Sequence, residues 1–478
     1  MESDGIYQEQ VFQDQFSSIP RKHILQITNH GTHEWKVRPG LPDTGGQNVY
    51  VNEFTEALIN LGYRVTIVNR GGYPDPINGQ VRRGVVYHPT GNARIMYVED
   101  GCDQFVRKED MDEHLPALAD DLWNKLEKED DHYDLIISHY WDAGKLGNLL
   151  NQKNQQPVTH LWVPHSLGAL KKTNMPPSTW EDLRVDERIS HEKQLLVEVD
   201  GCVATSSKIR ETLTDAYRVK VDYFLPPGVD DLRFHPRPND ELKPIWKWLA
   251  QHSPLSAREL RQRLWIMEVS RTDDTKRKDI LIKAFAQVKK EIPEAMLMVA
   301  IDKHTEELYK KLTGLIDELG LKDDVIILGS VWDQLPLLYN VADVYCTPSI
   351  MEGFGMSAQE AAATATPVVA SNLVPFVQEY LLGDMPYCQH KAVNGDQVEL
   401  CYGTAGVVVP KDFVEGFAAA LAELLRSKLL RHLMGYHGLN ITIPHFTWGR
   451  MVSNLLEKLG LGSEETSKNN TDQQKQKE

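Results

Sequence analysis

Short apolar runs alternate along the chain with longer segments whose apolar residues recur at helical spacing. That pattern predicts parallel strands joined by helices. The first run, His23–Thr28, leads into a Gly- and Pro-rich loop from Asn29 to Gln47. Val49, Val51, Phe54, Leu58 and Leu61 then predict a helix from about Asn48 to Leu61, ended by Gly62. Further strands are predicted at Arg64–Asn69, Asp134–Ser138, Val158–Val163 and Cys202–Thr205. At Phe224–Pro236 consecutive prolines and a glycine disfavour both helix and central strand. After a polar, helix-prone stretch to about Arg263 the alternation restarts. Its strands are Leu264–Val269, Met296–Ile301, Val325–Leu328, Val344–Thr347, Val368–Ala370 and Gly406–Val409. An amphipathic segment, Thr447–Leu459, closes the pattern. The tail from Ser463 has no large apolar residue and is expected to be disordered.

The pattern predicts an α/β protein of two doubly wound domains, with no repeat at a fixed period. Residues 1–230 would form the first domain and 231–442 the second. A C-terminal helix at 443–460 would return to the first, and 463–478 would be tail. Ligands of such sheets bind beyond the C-terminal strand ends. Candidate chemistry is therefore sought in loops just after strands, facing a cleft between the domains.

Composition narrows the function classes. The 478 residues include 52 basic and 68 acidic side chains, a net charge of −16, which argues against a broad nucleic-acid surface. Anion binding then requires local Arg and Lys clusters. The five cysteines show no CxxC spacing, so neither a zinc site nor a redox dithiol is expected, and an odd count in so large a chain argues against a secreted disulfide framework. The N-terminus is acidic and polar, unlike a secretory signal, and no apolar run approaches ~18 residues. A cytoplasmic protein with no membrane partner is expected.

Four motifs follow strands. Asp43–Gln47 (DTGGQ) precedes a helix, where two glycines permit close approach of a ligand and the helix N-terminus favours phosphate. By itself such a short motif reads first as a plain turn, and it is not the GxGxxG of dinucleotide enzymes. Val163–Lys172 offers His165, Ser166, Lys171 and Lys172, without the GxSxG of a nucleophile elbow. Val269–Lys278 carries Ser270, Arg271 and Lys276 and reads as a solvated basic loop or a diphosphate clamp. Thr347–Glu360 sets Glu352 and Glu360 on either side of a Gly-rich turn, with helix expected over Met356–Ala363. His139, Tyr140 and Trp141 read as packing.

Together these motifs resemble the retaining GT-B glycosyltransferases of the glycogen-synthase-like class, over about Lys22–Leu459. The linker Pro226–Pro236, Arg271 with Lys276, and EGFGMSAQE carry the resemblance on the donor side. Gly45–Val51 and His165–Gly168 narrow it to the sucrose-forming branch. Within it the chain is similar to the sucrose-phosphate synthases. Sucrose synthases are longer at the N-terminus, Phe105–Pro116 looks like the synthase's basic loop and helix, and Lys171 stands at a phosphate-binding position. One departure is Glu187, which replaces the first of two adjacent arginines. Arg188 matches the second, and Arg184 lies nearby.

The resemblance implies two Rossmann-like domains in the GT-B arrangement. It implies transfer of glucose, with retention, from UDP-glucose or another nucleoside-diphosphate glucose to fructose 6-phosphate, giving sucrose 6-phosphate and UDP. Sucrose synthase acting on free fructose is the near alternative. A non-catalytic nucleotide-sugar sensor is the remote one, since Arg271, Lys276, Glu352 and Glu360 are all present. Arg271 and Lys276 would stabilise the leaving diphosphate, with Ser270 beside them. The turn Gly353, Phe354, Gly355, Met356 and Ser357 would line the donor. Glu352 would hold glucose hydroxyls, and Glu360 the ribose. His165 would touch the transferred sugar. Gly45, Gly46 and Gln47 would approach donor phosphates and acceptor. Arg107, Ser166, Lys171, Arg184 and Arg188 would hold the acceptor phosphate. No cofactor or bound catalytic metal is expected, with Mg²⁺ at most stimulatory, and a separate phosphatase would act downstream.

Overall fold

The computed structural model of the protein describes residues 12–19, 22–38, 41, 43–129, 132–329, 331–393 and 396–461. The tail 463–478, expected to be disordered, lies outside the described residues. Two compact units form: Met1–Gly228 with Trp448–Glu478, and Val229–Thr447. The chain leaves the first unit inside its Pro- and Gly-rich stretch, at Gly228.

The first unit is built on eight strands. They are β1 (His23–Ile27), β2 (Arg64–Arg70), β3 (Val85–Tyr87), β4 (Ala93–Val98), β5 (Leu135–His139), β6 (His160–Val163), β7 (Gly201–Ala204) and β8 (Tyr223–Phe224). Their order across the sheet is 3-4-2-1-5-6-7-8, and all neighbours are parallel except β3 with β4. The central strands are buried along their whole length, which explains their near-continuous apolar runs. On one face, Val51, Phe54 and Leu58 of helix Gly46–Asn60 pack with Trp448, Val452 and Leu455 of the last helix, Trp448–Lys458. Each such side chain contributes about 1.5–3 kcal/mol by leaving water. Leu118, Leu122, Leu146 and Leu195 cover the other face.

The second unit has its own sheet. Its strands are β9 (Leu264–Glu268), β10 (Ala295–Ala300), β11 (Val325–Leu328), β12 (Val344–Thr347), β13 (Val368–Ser371), β14 (Tyr387–Val393), β15 (Asp396–Tyr402) and β16 (Gly406–Val409). The order is 11-10-9-12-13-16-15-14, parallel as far as β16 and antiparallel through the β14–β15 hairpin. Ile266, Phe285, Leu297, Val407 and Phe417 centre its core.

Strand order reverses between β1 and β5 in the first sheet, and between β9 and β12 in the second. These are the topological switch points, where the two loops diverge and leave a crevice. The loops after β1, β9 and β12 leave from these points. In the hairpin, Cys388 and Cys401, which the sequence does not pair, stand directly opposite each other and are disulfide-bonded. Lack of a CxxC spacing does not exclude a pair that a hairpin brings together across 13 residues. No helix among the described residues is long and apolar enough to cross a membrane.

Candidate functional site

In the first unit the loops after β1, β5 and β6 converge on one set of polar groups. Helix Gly46–Asn60 begins just after Gly45, whose N–H donates to Asn48 Oδ1 at 2.9 Å. A Cβ placed on Gly46 would meet nothing within 4 Å, so packing does not demand a glycine there. Gln47 is anchored through Nε2 to Thr28 Oγ1 at 3.0 Å.

His165 sits at φ 54°, a left-handed conformation that costs a non-glycine residue about 1–3 kcal/mol. Asp43, Tyr140 and Arg184 also have positive φ. Strain of this kind gathers where side chains must be aimed. Burial, helped by His30, pushes the His165 pKa down to about 3, and burial lowers that of His139, so both rings are neutral. The hydrogen bonds then set their tautomers. Gln26 donates its amide to Thr55 Oγ1 at 2.6 Å, so its Oε1 accepts from His139 Nε2 at 2.9 Å. His139 Nδ1 therefore accepts from His165 Nε2 at 2.9 Å. The lone pair left on His165 Nδ1 is suited to accept a ligand hydroxyl. The strand after Asp134 thus supplies a positioning residue, His139, that the sequence presents as packing.

Beyond His165 the cations gather. Arg188 is buried and fixed on every side: Nε donates to Glu192 at 2.7 Å, one terminal nitrogen donates to the Tyr140 hydroxyl, and the other reaches Ser166 O and Oγ at 2.5 and 3.2 Å. Its guanidinium lies 4.2 Å from the Tyr140 ring centroid. Lys171 stands near Arg188 and Lys108. Burial and these two cations push its pKa down to about 7, and its ammonium has no hydrogen bond or ion pair among the described residues. Lys108 pairs with Asp43 and is largely enclosed. Its neighbour Arg107 points away to Asp182 at 3.3 Å and is half exposed. Lys108, not Arg107, is therefore the basic-loop residue beside Lys171. Arg184 pairs with Asp110 at 2.9 Å and Glu187 at 3.8 Å. Glu187 thus restrains Arg184 rather than Arg188. Arg184 and Arg188 share one small pocket with Glu109, Tyr140 and Glu187.

In the second unit the loops after β9 and β12 are tied together. Ile350 N donates to Thr275 O at 2.8 Å, and Lys276 Nζ donates to Glu352 at 2.6 Å. Arg271 is 54% exposed, and its nearest carboxylate, Asp273, is 3.7 Å away. The Ser270 hydroxyl is held by Glu268 and lies 2.9 Å from Lys278 Nζ, which itself pairs with Glu268 at 2.5 Å in the core. A charged residue ending the otherwise apolar strand LWIME was the available signal for that pair.

Helix Met356–Ala363 starts at Gly355, whose φ of 107° and whose contact with Val374, 2.6 Å from a notional Cβ, both require glycine. Gly353 lies in the bend between Glu352 and this helix. No acidic side chain neutralises the first turn, so the N–H groups around Met356 and Ser357 retain their positive field. The Ser357 hydroxyl bonds Tyr345 at 2.8 Å. The Phe354 ring packs among Phe376, Tyr380 and Phe446, so this residue offers only backbone to a ligand. Burial pushes the Glu360 pKa up to about 7, and Tyr339 OH donates to it at 3.0 Å.

Two family models match the chain: Glycosyltransferase Family 4 over residues 44–233 and glycosyl transferases group 1 over residues 258–440. A mannosylfructose-phosphate synthase from Agrobacterium fabrum is 32% identical over 368 residues, 73% of this chain and 76% of its own. The chain belongs to the GT-B glycosyltransferases. A D-inositol 3-phosphate glycosyltransferase from Salinispora arenicola is 29% identical, covering 88% of each chain. Among solved structures, a sucrose-phosphate synthase from Thermosynechococcus elongatus shares this glycosyltransferase's fold. The TM-score is 0.74 at 24% identity, over 91% of this chain and 98% of that one. An Anabaena protein solved with UDP and glucose gives 0.66 at 15% identity, over 92% and 100%.

Proposed function

We propose that this glycosyltransferase is a sucrose-phosphate synthase. It would move glucose, with retention, from UDP-glucose or another nucleoside-diphosphate glucose to fructose 6-phosphate. The products would be sucrose 6-phosphate, passed to a separate phosphatase, and UDP. The observation that carries the acceptor is Lys171, an enclosed ammonium that makes no ion pair or hydrogen bond among the described residues and stands beside Lys108 and Arg188, with the carboxylates of Glu109 and Asp43 only partly offsetting them. A phosphate dianion would restore its charge and satisfy its donors. Support comes from the names of three similar proteins, which specify mannosylfructose phosphate, inositol 3-phosphate and sucrose phosphate. Each couples a sugar or polyol with a phosphate.

In this reading Ser166, Lys171 and Arg188 hold the acceptor phosphate, and Arg184 lies at its edge. His165 accepts a hydroxyl of the transferred sugar through Nδ1. Gly45 and Gly46 admit the ligands close to the backbone. Negative charge builds on the leaving diphosphate. Arg271, Lys276 and the helix end at Gly355–Ser357 oppose it with fixed positive charge, the kind of stabilisation that contributes most in enzymes. Glu352 would exchange Lys276 for glucose hydroxyls, and Glu360 would hold the ribose. That set of cations supplies the charge a metal would bring, so no bound catalytic metal is proposed and Mg²⁺ would at most stimulate. The enzyme would act in the cytoplasm.

A second reading keeps the acceptor and changes the donor to a nucleoside-diphosphate mannose, as the name of the Agrobacterium relative suggests. Purified protein given UDP-glucose, ADP-glucose, GDP-glucose or GDP-mannose, each with fructose or fructose 6-phosphate, separates the readings by nucleotide release. Turnover greatest with UDP-glucose and fructose 6-phosphate supports the proposal. A mannose donor in first place overturns the donor assignment, and free fructose in first place overturns the acceptor.

A further inference from the structure

The β14–β15 hairpin carries chemistry that sugar transfer does not use. Its register sets Cys388 opposite Cys401 and His390 opposite Glu399. Positions two apart on a strand share a face. All four residues therefore line one face of the ribbon, while Leu400, fully buried, points to the other and into the core. The ligand atoms of Cys388, Glu399 and Cys401 lie within 4.8 Å of one another. His390 Nε2 lies 3.7 Å from Glu399 Oε1. Two sulfurs and a carboxylate thus gather on one face of the ribbon, and the exposed His390 imidazole beside Glu399 stands on the same face, giving the four nitrogen, sulfur and oxygen donors that a tetrahedral ion takes once the side chains close on it.

We propose that the reduced hairpin binds one Zn²⁺ through Cys388, His390, Glu399 and Cys401, and that the Cys388–Cys401 disulfide and the metal exclude each other. Sulfur and imidazole favour a borderline-soft ion, whereas Mg²⁺ and Ca²⁺ require oxygen donors. The exchange balances. A dithiol gives two electrons and two protons to the Cys388–Cys401 bond and becomes a disulfide. The two thiols formed then release two protons to solvent as their thiolates bind the ion. The exposed Glu399 and His390 leave the ion a way in from solvent, while Cys401 is covered. Sequence spacing hides the set, because Cys-x-His and Glu-x-Cys meet only when the hairpin forms.

The test uses the full chain, reduced with a phosphine under argon and loaded with Zn²⁺ or with Co²⁺ as a spectroscopic probe. After gel filtration the reduced wild type is expected to retain one equivalent of Zn²⁺, and Co²⁺ to give thiolate charge-transfer and tetrahedral d–d bands. Disulfide-bonded protein should retain none, and excess Mg²⁺ should not compete. Cys388→Ser with Cys401→Ser should abolish retention. The exposed His390→Ala, which disturbs no core contact, should weaken binding at least ~10-fold. Absence of retained Zn²⁺ in the reduced wild type, or equal retention by the double-serine variant, overturns the proposal. So does unchanged affinity in His390→Ala.

Discussion

Lys276 Nζ donates to Glu352 at 2.6 Å, and the two side chains are only 10% and 16% exposed. One ion pair thus joins the loop after β9 to the turn after β12 and holds a cation where diphosphate charge is proposed to develop. Arg271→Ala and Lys276→Ala should each lower turnover by ~10²–10³. Their stabilities should differ. Arg271 is half exposed, so its loss should alter stability by less than ~0.5 kcal/mol. Lys276→Ala leaves Glu352 unpaired and should lower the melting temperature as well. Steady-state rates and thermal melts of both variants check this. Near-normal turnover in both removes the clamp.

Gly46→Ala distinguishes packing from ligand approach. The added methyl meets no protein atom, and Ala is the better helix former, so stability should hold or rise by about 0.4–1 kcal/mol. If a ligand lies against that backbone, kcat/KM should fall at least ~10-fold, a loss of ~1.4 kcal/mol. Unchanged activity would assign the DTGGQ segment to a plain turn.

The acceptor profile should be bell-shaped in pH. Fructose 6-phosphate gains its second charge near pH ~6. The depressed pKa of Lys171, about 7, makes the ammonium lose its proton above neutrality. Acceptor kcat/KM should therefore rise through the first value and fall through the second. Lys171→Arg, always charged, should remove the falling limb. The linkage has the matching sign. A lysine whose folded pKa is depressed destabilises fully below that pKa, and stability recovers as pH rises from about 7 towards the ordinary lysine value. Lys171→Met should raise the melting temperature at pH 6 more than at pH 9.

EDTA should leave most of the transferase activity intact if Arg271, Lys276 and the N-terminus at Gly355 carry the charge, as proposed. Complete loss restored only by Mg²⁺ or Mn²⁺ would reveal a catalytic metal.

Much of the sheet was legible because buried parallel strands are written as bare apolar runs: VIIL, VYCT and GVVV coincide with β11, β12 and β16. The misses have physical causes. β3 is a short edge strand, half exposed. β4 carries Arg94 in its interior, neutralised by Glu129 at 2.7 Å, a pairing that no local pattern announces. β14, YCQHKAV, reads as polar loop because an antiparallel edge ribbon has no need of two apolar faces. At the candidate site, Lys276, Glu352, His165 and Lys171 stand out as strand-end motifs. Tyr140, His139, Lys108 and Glu192 do not, because they act through folded neighbours: one stacks on Arg188, one fixes the His165 tautomer, one repels Lys171 and one anchors Arg188.

The central claim is that Lys171 reads the acceptor's phosphate, and a comparison of two acceptors tests it most directly. The quantity is the ratio of kcat/KM for fructose 6-phosphate to that for fructose, in wild type and in Lys171→Ala. Arg188→Ala serves less well, because it would leave Glu192 buried without its cation. A charged hydrogen bond of this kind contributes about 1.5–3 kcal/mol. The wild-type ratio should therefore exceed ~10, and Lys171→Ala should lower it by at least ~10-fold. A wild type that uses fructose as well as or better than fructose 6-phosphate, or a ratio indifferent to Lys171→Ala, would contradict the account.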